Sequence, residues 1–488
     1  MRGRVVGAVL LAVAADCARA ALNVDFSSTD SIKAAAKTVA ANLMTYYKGD
    51  QPGETPGILP GPPPHGAYYW WEAGALWGTL IDYWYYTGDT AYNNEVERCL
   101  IFQANSPENN FMPPNWTASL GNDDQGFWGM AAMLAAETNF QNPPADKPQW
   151  LALAQAVFNT QAARWDTEYC AGGLRWQIPL ANNGYNYKNT IASAIFFNIA
   201  ARLARYTGNS TYADWASKTW DWNVAVGYID ADYNIYDGAH TEHNCTDINK
   251  AQFSYTAAIF IQGLGFMYSF YNESPVWENH LTFLTNRTIA FFFPNGIARE
   301  PACELADLNQ CTTDMLSYKG YVHRFLASTT QLAPFVRDMI MPVLLSSTKG
   351  MAQSCRDVGG VCGFRWDRGE YDGLTGAGQQ MNALGALLSL LATAEGDTKA
   401  PVTNTTGGTS KGNPNAGVGT GQPEKRTERE ITMADKIVAW VVTGILVFLV
   451  SVWALMMMTD AGEGPRKVWN GPMDDGHGKI KRTGFRLD

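Results

Sequence analysis

The stretch "WWEAGALWGTLIDYWYYTGDTAY", residues 70–92, contains a helix and the turn that ends it. Through Tyr86 its apolar side chains recur at three- and four-residue intervals, the period of a helix and not the alternation of a strand. "YTGDTAY" (86–92) then supplies a glycine turn and an aromatic that opens the next helix. The same joint returns as "YTGNSTY" (206–212) and "YNESPVW" (271–277), and in stretched form as "ETNFQNPPADKPQW" (137–150). Spacings of about 50 to 65 residues correspond to one helical hairpin per repeat.

Working outward, "SIKAAAKTVAANLMTYY", "QGFWGMAAMLAAE", "WLALAQAVFNTQAARW", "TIASAIFFNIAARLARY", "FSYTAAIFIQGLGFMYSFY" and "QMNALGALLSLLATAE" carry the same broad apolar stripes. About a dozen such helices make about six hairpins, which predicts an all-α, (α/α)6 barrel or toroid with loops at one end forming a cleft. Glycines inside the most apolar helices (Gly74, Gly78, Gly126, Gly129, Gly263) favour a closed ring over an open solenoid.

The ends have a different character. Residues 1–20, "MRGRVVGAVLLAVAADCARA", have two arginines, an apolar run and Ala18-Arg19-Ala20, the pattern of a secretory signal peptide. Residues 21–396 are expected to form the folded domain. Residues 397–436, rich in Gly, Thr, Asn and Pro, are expected to be a flexible stalk. Residues 437–458, "IVAWVVTGILVFLVSVWALMMM", carry no charge and at 1.5 Å per residue span about 33 Å, enough for one transmembrane helix. The polar tail 459–488 would then lie on the cytoplasmic side.

Sequons at Asn115, Asn209, Asn244, Asn272, Asn286 and Asn404 all precede the apolar segment, as an extracellular glycoprotein domain requires. In that oxidising setting the short loops "CELADLNQC" and "CRDVGGVC" predict Cys303–Cys311 and Cys355–Cys362 bridges. Cys99, Cys170 and Cys245 leave room for one more bridge and one free thiol. The formal charge of −10 argues against a nucleic-acid partner, which would want a basic face. "HTEHNCT" (240–246) offers His240, His243 and Cys245, but no zinc pattern is completed, so neither a metal nor any other cofactor is expected.

Chemistry concentrates in "GNDDQGFWG" (121–129), where Asp123 and Asp124 stand side by side at the start of a helix. A helix cap accounts for one carboxylate, with Asn122 or Asp123 as the cap. Two repelling carboxylates beside glycine and tryptophan suit a reaction that needs one protonated and one ionised group. Glycoside hydrolysis is such a reaction. Adjacent Cα atoms 3.8 Å apart let the carboxyls diverge to about 5 Å, the spacing of a retaining mechanism. Trp70, Trp71, Trp128 and Trp176 are candidate stacking surfaces for sugar rings. Asn122, Gln125, Tyr187, Asn189, Asp237 and Tyr255 are candidate partners for hydroxyls. Glu72 and Glu300 are weaker acidic candidates. A non-catalytic surface lectin or scaffold would have no need for the aspartate pair.

"GNDDQGFWGMAAMLAAE" resembles the catalytic segment of glycoside hydrolase family 76, the α-1,6-mannanases. "LNVDFSSTDSIKAAAKTVAANLMTYY" and "GILPGPPPHGAYYWWEAGALWGTLIDYWYYTGD" resemble the opening of its fungal cell-wall branch. The resemblance implies an (α/α)6 barrel, Asp123 as nucleophile and Asp124 as acid/base, acting on α-1,6-linked mannose. For the fungal branch it also implies action on the mannose core of GPI anchors, with wall β-glucan as acceptor.

Overall fold

The computed structural model describes residues 21–304, 310–356, 358–392, 400–420 and 432–460. The expected signal peptide, and the tail beyond residue 460, lie outside them. Among the described residues, twelve helices alternate between an outer and an inner ring. The outer helices are α1 (Thr29–Met44), α3 (Asn93–Gln103), α5 (Trp150–Ala163), α7 (Ser210–Ala225), α9 (Pro275–Phe292) and α11 (Arg337–Gln353). The inner ones are α2 (Trp70–Thr87), α4 (Asn122–Glu137), α6 (Thr190–Thr207), α8 (Ser254–Phe270), α10 (Tyr318–Leu332) and α12 (Ala377–Ser389). Each inner helix packs on the next, and α12 packs on α2, so the ring closes.

Burial separates the two rings. α1 buries Ile32, Ala35, Ala36, Val39, Ala40 and Leu43, a single stripe at helical spacing. α12 is buried at every position, as a helix surrounded by protein must be. Glycine permits the tightest approach. A Cβ on Gly320 would stand 2.7 Å from the Met381 carbonyl oxygen, and one on Gly385 would stand 2.7 Å from that of Gly320.

The repeated turns are the short inner-to-outer joints. Gly88 and Gly208 adopt left-handed conformations (φ 78° and 71°) that end α2 and α6. The longer outer-to-inner connections gather at the other end, over the N-termini of the inner helices. There β1 (Tyr187–Asn189) pairs antiparallel with β2 (Gly238–His240). Disulfides Cys303–Cys311 and Cys355–Cys362 form as expected, Cys170 pairs with Cys245, and Cys99 is the buried free thiol.

The expected stalk needs correction. Residues 400–420 are a strap bound along the barrel wall. The Pro401 carbonyl accepts from Arg205 Nη1 (2.6 Å), and Val402 N–H donates to the Glu137 carbonyl (2.9 Å). Ser410 Oγ accepts from Leu151 N–H (2.9 Å), and Asn413 N–H donates to Gln155 Oε1 (2.6 Å). Asn159 Nδ2 donates to the carbonyls of Pro414 and Ala416 (2.9 and 2.8 Å), and Asn110 Nδ2 donates to Thr420 Oγ1 (3.2 Å). The strap thus climbs α5 from its N-terminus toward the cleft end.

A separate unit begins at Lys425. Its helix α13, Met433–Asp460, is longer at both ends than the apolar run alone suggests. Within Met433–Met457 an 18-residue window reaches a mean hydropathy of 2.5, and the helix is long and apolar enough to cross a membrane.

Candidate active site

A cavity of about 650 Å³ opens at the cleft end. The N-termini of five inner helices deliver side chains to it: Trp71 from α2, Asp123 and Asp124 from α4, Asn189 at the cap of α6, Tyr255 from α8 and Tyr318 from α10. Their converging positive ends favour negative charge at the cleft floor.

The aspartate pair owes its shape to Gly121, which caps α4 in place of the expected Asn122 or Asp123. Gly121 N–H donates to Asp124 Oδ2 (2.6 Å), and Asp124 N–H donates to Asp123 Oδ1 (2.9 Å). Both carboxyls fold back over residue 121, where a Cβ would collide with Asp123 Oδ1 and Asp124 Oδ2. Asn189 Nδ2 donates to Asp123 Oδ2 (2.8 Å).

The two groups therefore differ electrically. Burial raises both pKa values. Asp123 is held back by Asn189 and by backbone N–H donors, whereas Asp124 is pushed further by the charge of Asp123. Asp123 is the first to ionise and Asp124 keeps its proton, the split that two neighbouring carboxyls with different roles require.

A third carboxyl faces them. Asp314, in the turn before α10, accepts from Trp71 Nε1 (3.0 Å), and its charge raises Asp123, Asp124 and Glu72 alike. Sequence reasoning passed over Asp314. Its signal was a polar turn leading into an aromatic helix, "DMLSY", the same grammar as "GNDDQGFW".

Of the predicted binding residues, Trp71, Trp176, Tyr187, Asn189, Asp237 and Tyr255 line the cavity. Trp176 is 39% exposed, an open stacking face. Tyr187 Oη donates to Asp237 Oδ2 (2.8 Å), and Tyr255 stacks on Tyr318 with ring centres 3.8 Å apart. Tyr69, Phe127, Gln177 and Asn182 also line the cavity and were not predicted.

Four predicted residues lie elsewhere. Trp70 and Trp128 stack on each other at 5.0 Å inside the core, and Trp70 Nε1 donates to Gln103 Oε1 (2.8 Å). Asn122 and Gln125 are 1% and 0% exposed, so neither reaches the cleft. Arg164 donates to Asn122 Oδ1 (2.8 Å) and Gln125 Oε1, fixing the first turn of α4 from behind. Asn122 N–H also donates to the Trp176 carbonyl (2.8 Å), so the aspartate turn and the Trp176 segment are tied together. Glu72 is fully buried and accepts from Tyr69 N–H (2.8 Å), and Glu300 accepts from Ser254 N–H and Oγ below the cleft.

Residues 31–405 match the model of glycosyl hydrolase family 76. The chain belongs to glycosyl hydrolase family 76. It is 42% identical over 442 residues to mannan endo-1,6-alpha-mannosidase DCW1 of Saccharomyces cerevisiae, covering 90% of this chain and 95% of that one. It is 39% identical over 443 residues to the same yeast's mannan endo-1,6-alpha-mannosidase DFG5, again over 90% of this chain and 94% of that one. The solved structure of Dfg5 from Chaetomium thermophilum in complex with glucosamine is 51% identical, with a TM-score of 0.77 over 81% of this chain and 97% of that chain. This family-76 chain is a glycoside hydrolase with a helical toroid fold.

All six sequon asparagines of the family-76 chain are exposed. Of the weighed metal ligands, Cys245 is withdrawn into its bridge with Cys170, and His240 and His243 instead meet Asp247.

Proposed function

We propose that the protein is a retaining glycosidase for α-1,6-linked mannose, tethered to the membrane by α13, with Asp123 as nucleophile and Asp124 as acid/base. The observation that carries this reading is the unequal hydrogen bonding of the buried pair, which makes Asp123 the easier of the two to ionise.

In the first step Asp123 attacks the anomeric carbon, the glycosidic C–O bond breaks, and Asp124 gives its proton to the departing oxygen. In the second, Asp124 takes a proton from the incoming hydroxyl, whose oxygen displaces Asp123. Two inversions return the α-anomer. Trp71, Trp176 and Tyr255 stack against sugar rings, while Tyr187, Asn189 and Asp237 bind hydroxyls.

Water or a sugar hydroxyl can fill the acceptor role. We assign the acceptor as wall β-glucan and the donor as the mannose core of a GPI glycan, so that the reaction passes GPI-linked proteins to the fungal wall. The glucosamine bound by the Chaetomium relative is in keeping with an amino-sugar-bearing glycan. Residues 1–20 send the chain into the secretory pathway, the barrel faces outward at the cell surface, and residues 459–488 stay cytoplasmic.

The test compares full-length wild type, Asp123→Asn and Asp124→Asn on an α-1,6-mannooligosaccharide, with and without a β-1,3-glucan acceptor. Products are read by mass spectrometry and anomer-resolved NMR. Shorter α-anomeric products, or mannose–glucan adducts, that disappear in both variants support the assignment. Equal turnover in the variants would sink it, and sugar binding without any turnover by the wild type would favour a lectin.

A further inference from the structure

Beside the β1–β2 strand pair, and outside the lining of the cavity, a second group of side chains converges. His240 Nδ1 and His243 Nδ1 both point at one oxygen, Asp247 Oδ2, at 2.7 and 2.9 Å. The three residues share an exposed face, and their ligand atoms lie within 4.8 Å of one another. Among the described residues this is the one such set of three.

The backbone holds the set open. Asp247 Oδ1 accepts from the His240 N–H (3.0 Å), Asn244 and Cys245 take left-handed conformations (φ 49° and 60°), and the Cys170–Cys245 bridge fixes the turn between the ligands. The Asn244 side chain is also committed, accepting from Cys170 N–H (2.7 Å). Bonds of about 2.0–2.1 Å at the tetrahedral angle put ligand atoms about 3.3–3.4 Å apart, so each imidazole nitrogen need withdraw from Asp247 Oδ2 by only about half an ångström.

We propose that His240, His243 and Asp247 form a binding site for a borderline divalent transition ion of the zinc class. Donor chemistry selects the class: imidazole suits zinc, copper and nickel, whereas calcium and magnesium want a shell of oxygens that one carboxylate does not provide. The site is separate from the aspartate pair but joined to the cleft wall. His240 pairs with Tyr187 across the two strands, their rings 4.9 Å apart, and Tyr187 donates to Asp237. A bound ion therefore braces the strand that presents Tyr187.

The experiment uses the full-length chain in detergent micelles, stripped of metal and titrated with zinc chloride against a colorimetric chelator, with melting temperature followed in parallel. One equivalent of zinc is expected to bind and raise the melting temperature. His243→Ala and Asp247→Asn are each expected to weaken binding by roughly ten-fold or more and to cancel the thermal shift. His65→Ala, an exposed histidine on another loop, should bind as wild type does. Unchanged metal-free melting of the variants shows that they fold. If wild type holds no more zinc than a His240→Ala, His243→Ala, Asp247→Asn triple variant, or if His243→Ala matches wild type, the trio is a plain hydrogen-bonded cluster and the proposal fails.

Discussion

Asp314 shows how far charge alone shapes the site. It stands across the cleft from Asp123 and Asp124 and, when ionised, makes a further negative charge there costlier. Asp314→Asn keeps an acceptor for Trp71 Nε1 but removes that charge, so the pKa values of both members of the pair fall. In the proposed mechanism Asp123 works ionised and Asp124 protonated, so both limbs of the kcat/KM–pH profile should move to lower pH by about 0.5–1 unit. kcat at the new optimum should fall less than ten-fold. An unmoved profile would show that Asp314 is electrically silent. Asp123 and Asp124 were legible because they are adjacent in the chain and their neighbours leave a cap over-supplied with acid. Asp314 was not, because only the closed ring brings α10 opposite α4. Trp70 and Trp128 were misplaced for a related reason: a tryptophan at a helix start looks the same in sequence whether its indole faces a cleft or a neighbouring helix.

At the scale of elements, the helices were readable from apolar period and from the glycine turns at Gly88 and Gly208. The strap was not. Its composition matches a linker, and what binds it is a series of hydrogen bonds with Asn159, Gln155, Asn139 and the Leu151 N–H of the wall that leaves no periodic trace. Each such bond contributes about 1 kcal/mol net, set against the entropy of ordering the chain. A secreted domain ending at residue 420 should therefore melt on the order of 5 °C above one ending at 400, with the difference readable by differential scanning calorimetry. The shorter form also uncovers Gln155 and Leu151 on α5, so faster hydrogen exchange should appear there. Coincident melting of the two forms would return residues 400–420 to the status of a tether. The strap's far end touches Asn110, whose carbonyl accepts from Gln125 Nε2 (2.8 Å) in the first turns of α4. Its removal should thus reach the aspartate turn as well as the wall.

Across the whole molecule the buried carboxyls set how stability depends on pH. Burial raises Asp123, Asp124, Glu72, Asp237 and Asp314, and pushes Glu300 up to about 8. Such a group binds a proton in the folded chain at a pH where the unfolded chain has lost it. Its contribution is complete below the ordinary carboxylate range and drains away as pH climbs through the folded value. His323, lowered to about 4 by burial, and His280, also lowered by burial, work in the opposite sense, an effect that fades only as pH climbs past the ordinary imidazole value of about 6.5. Lys188, lowered to about 8 by burial, begins to oppose the trend only above that value. Between about pH 7 and 8 the raised carboxyls outnumber these opposing groups, and the melting temperature should fall. Glu300→Gln keeps the shape and the hydrogen-bonding capacity toward Ser254 while removing the proton, so the variant should gain stability relative to wild type as pH rises and show a shallower decline. Melting curves at half-unit steps decide it. A wild-type melting temperature that is flat or rising across this window would mean that these carboxyls are hydrated in solution, and the electrical argument for the Asp123–Asp124 pair would weaken with it.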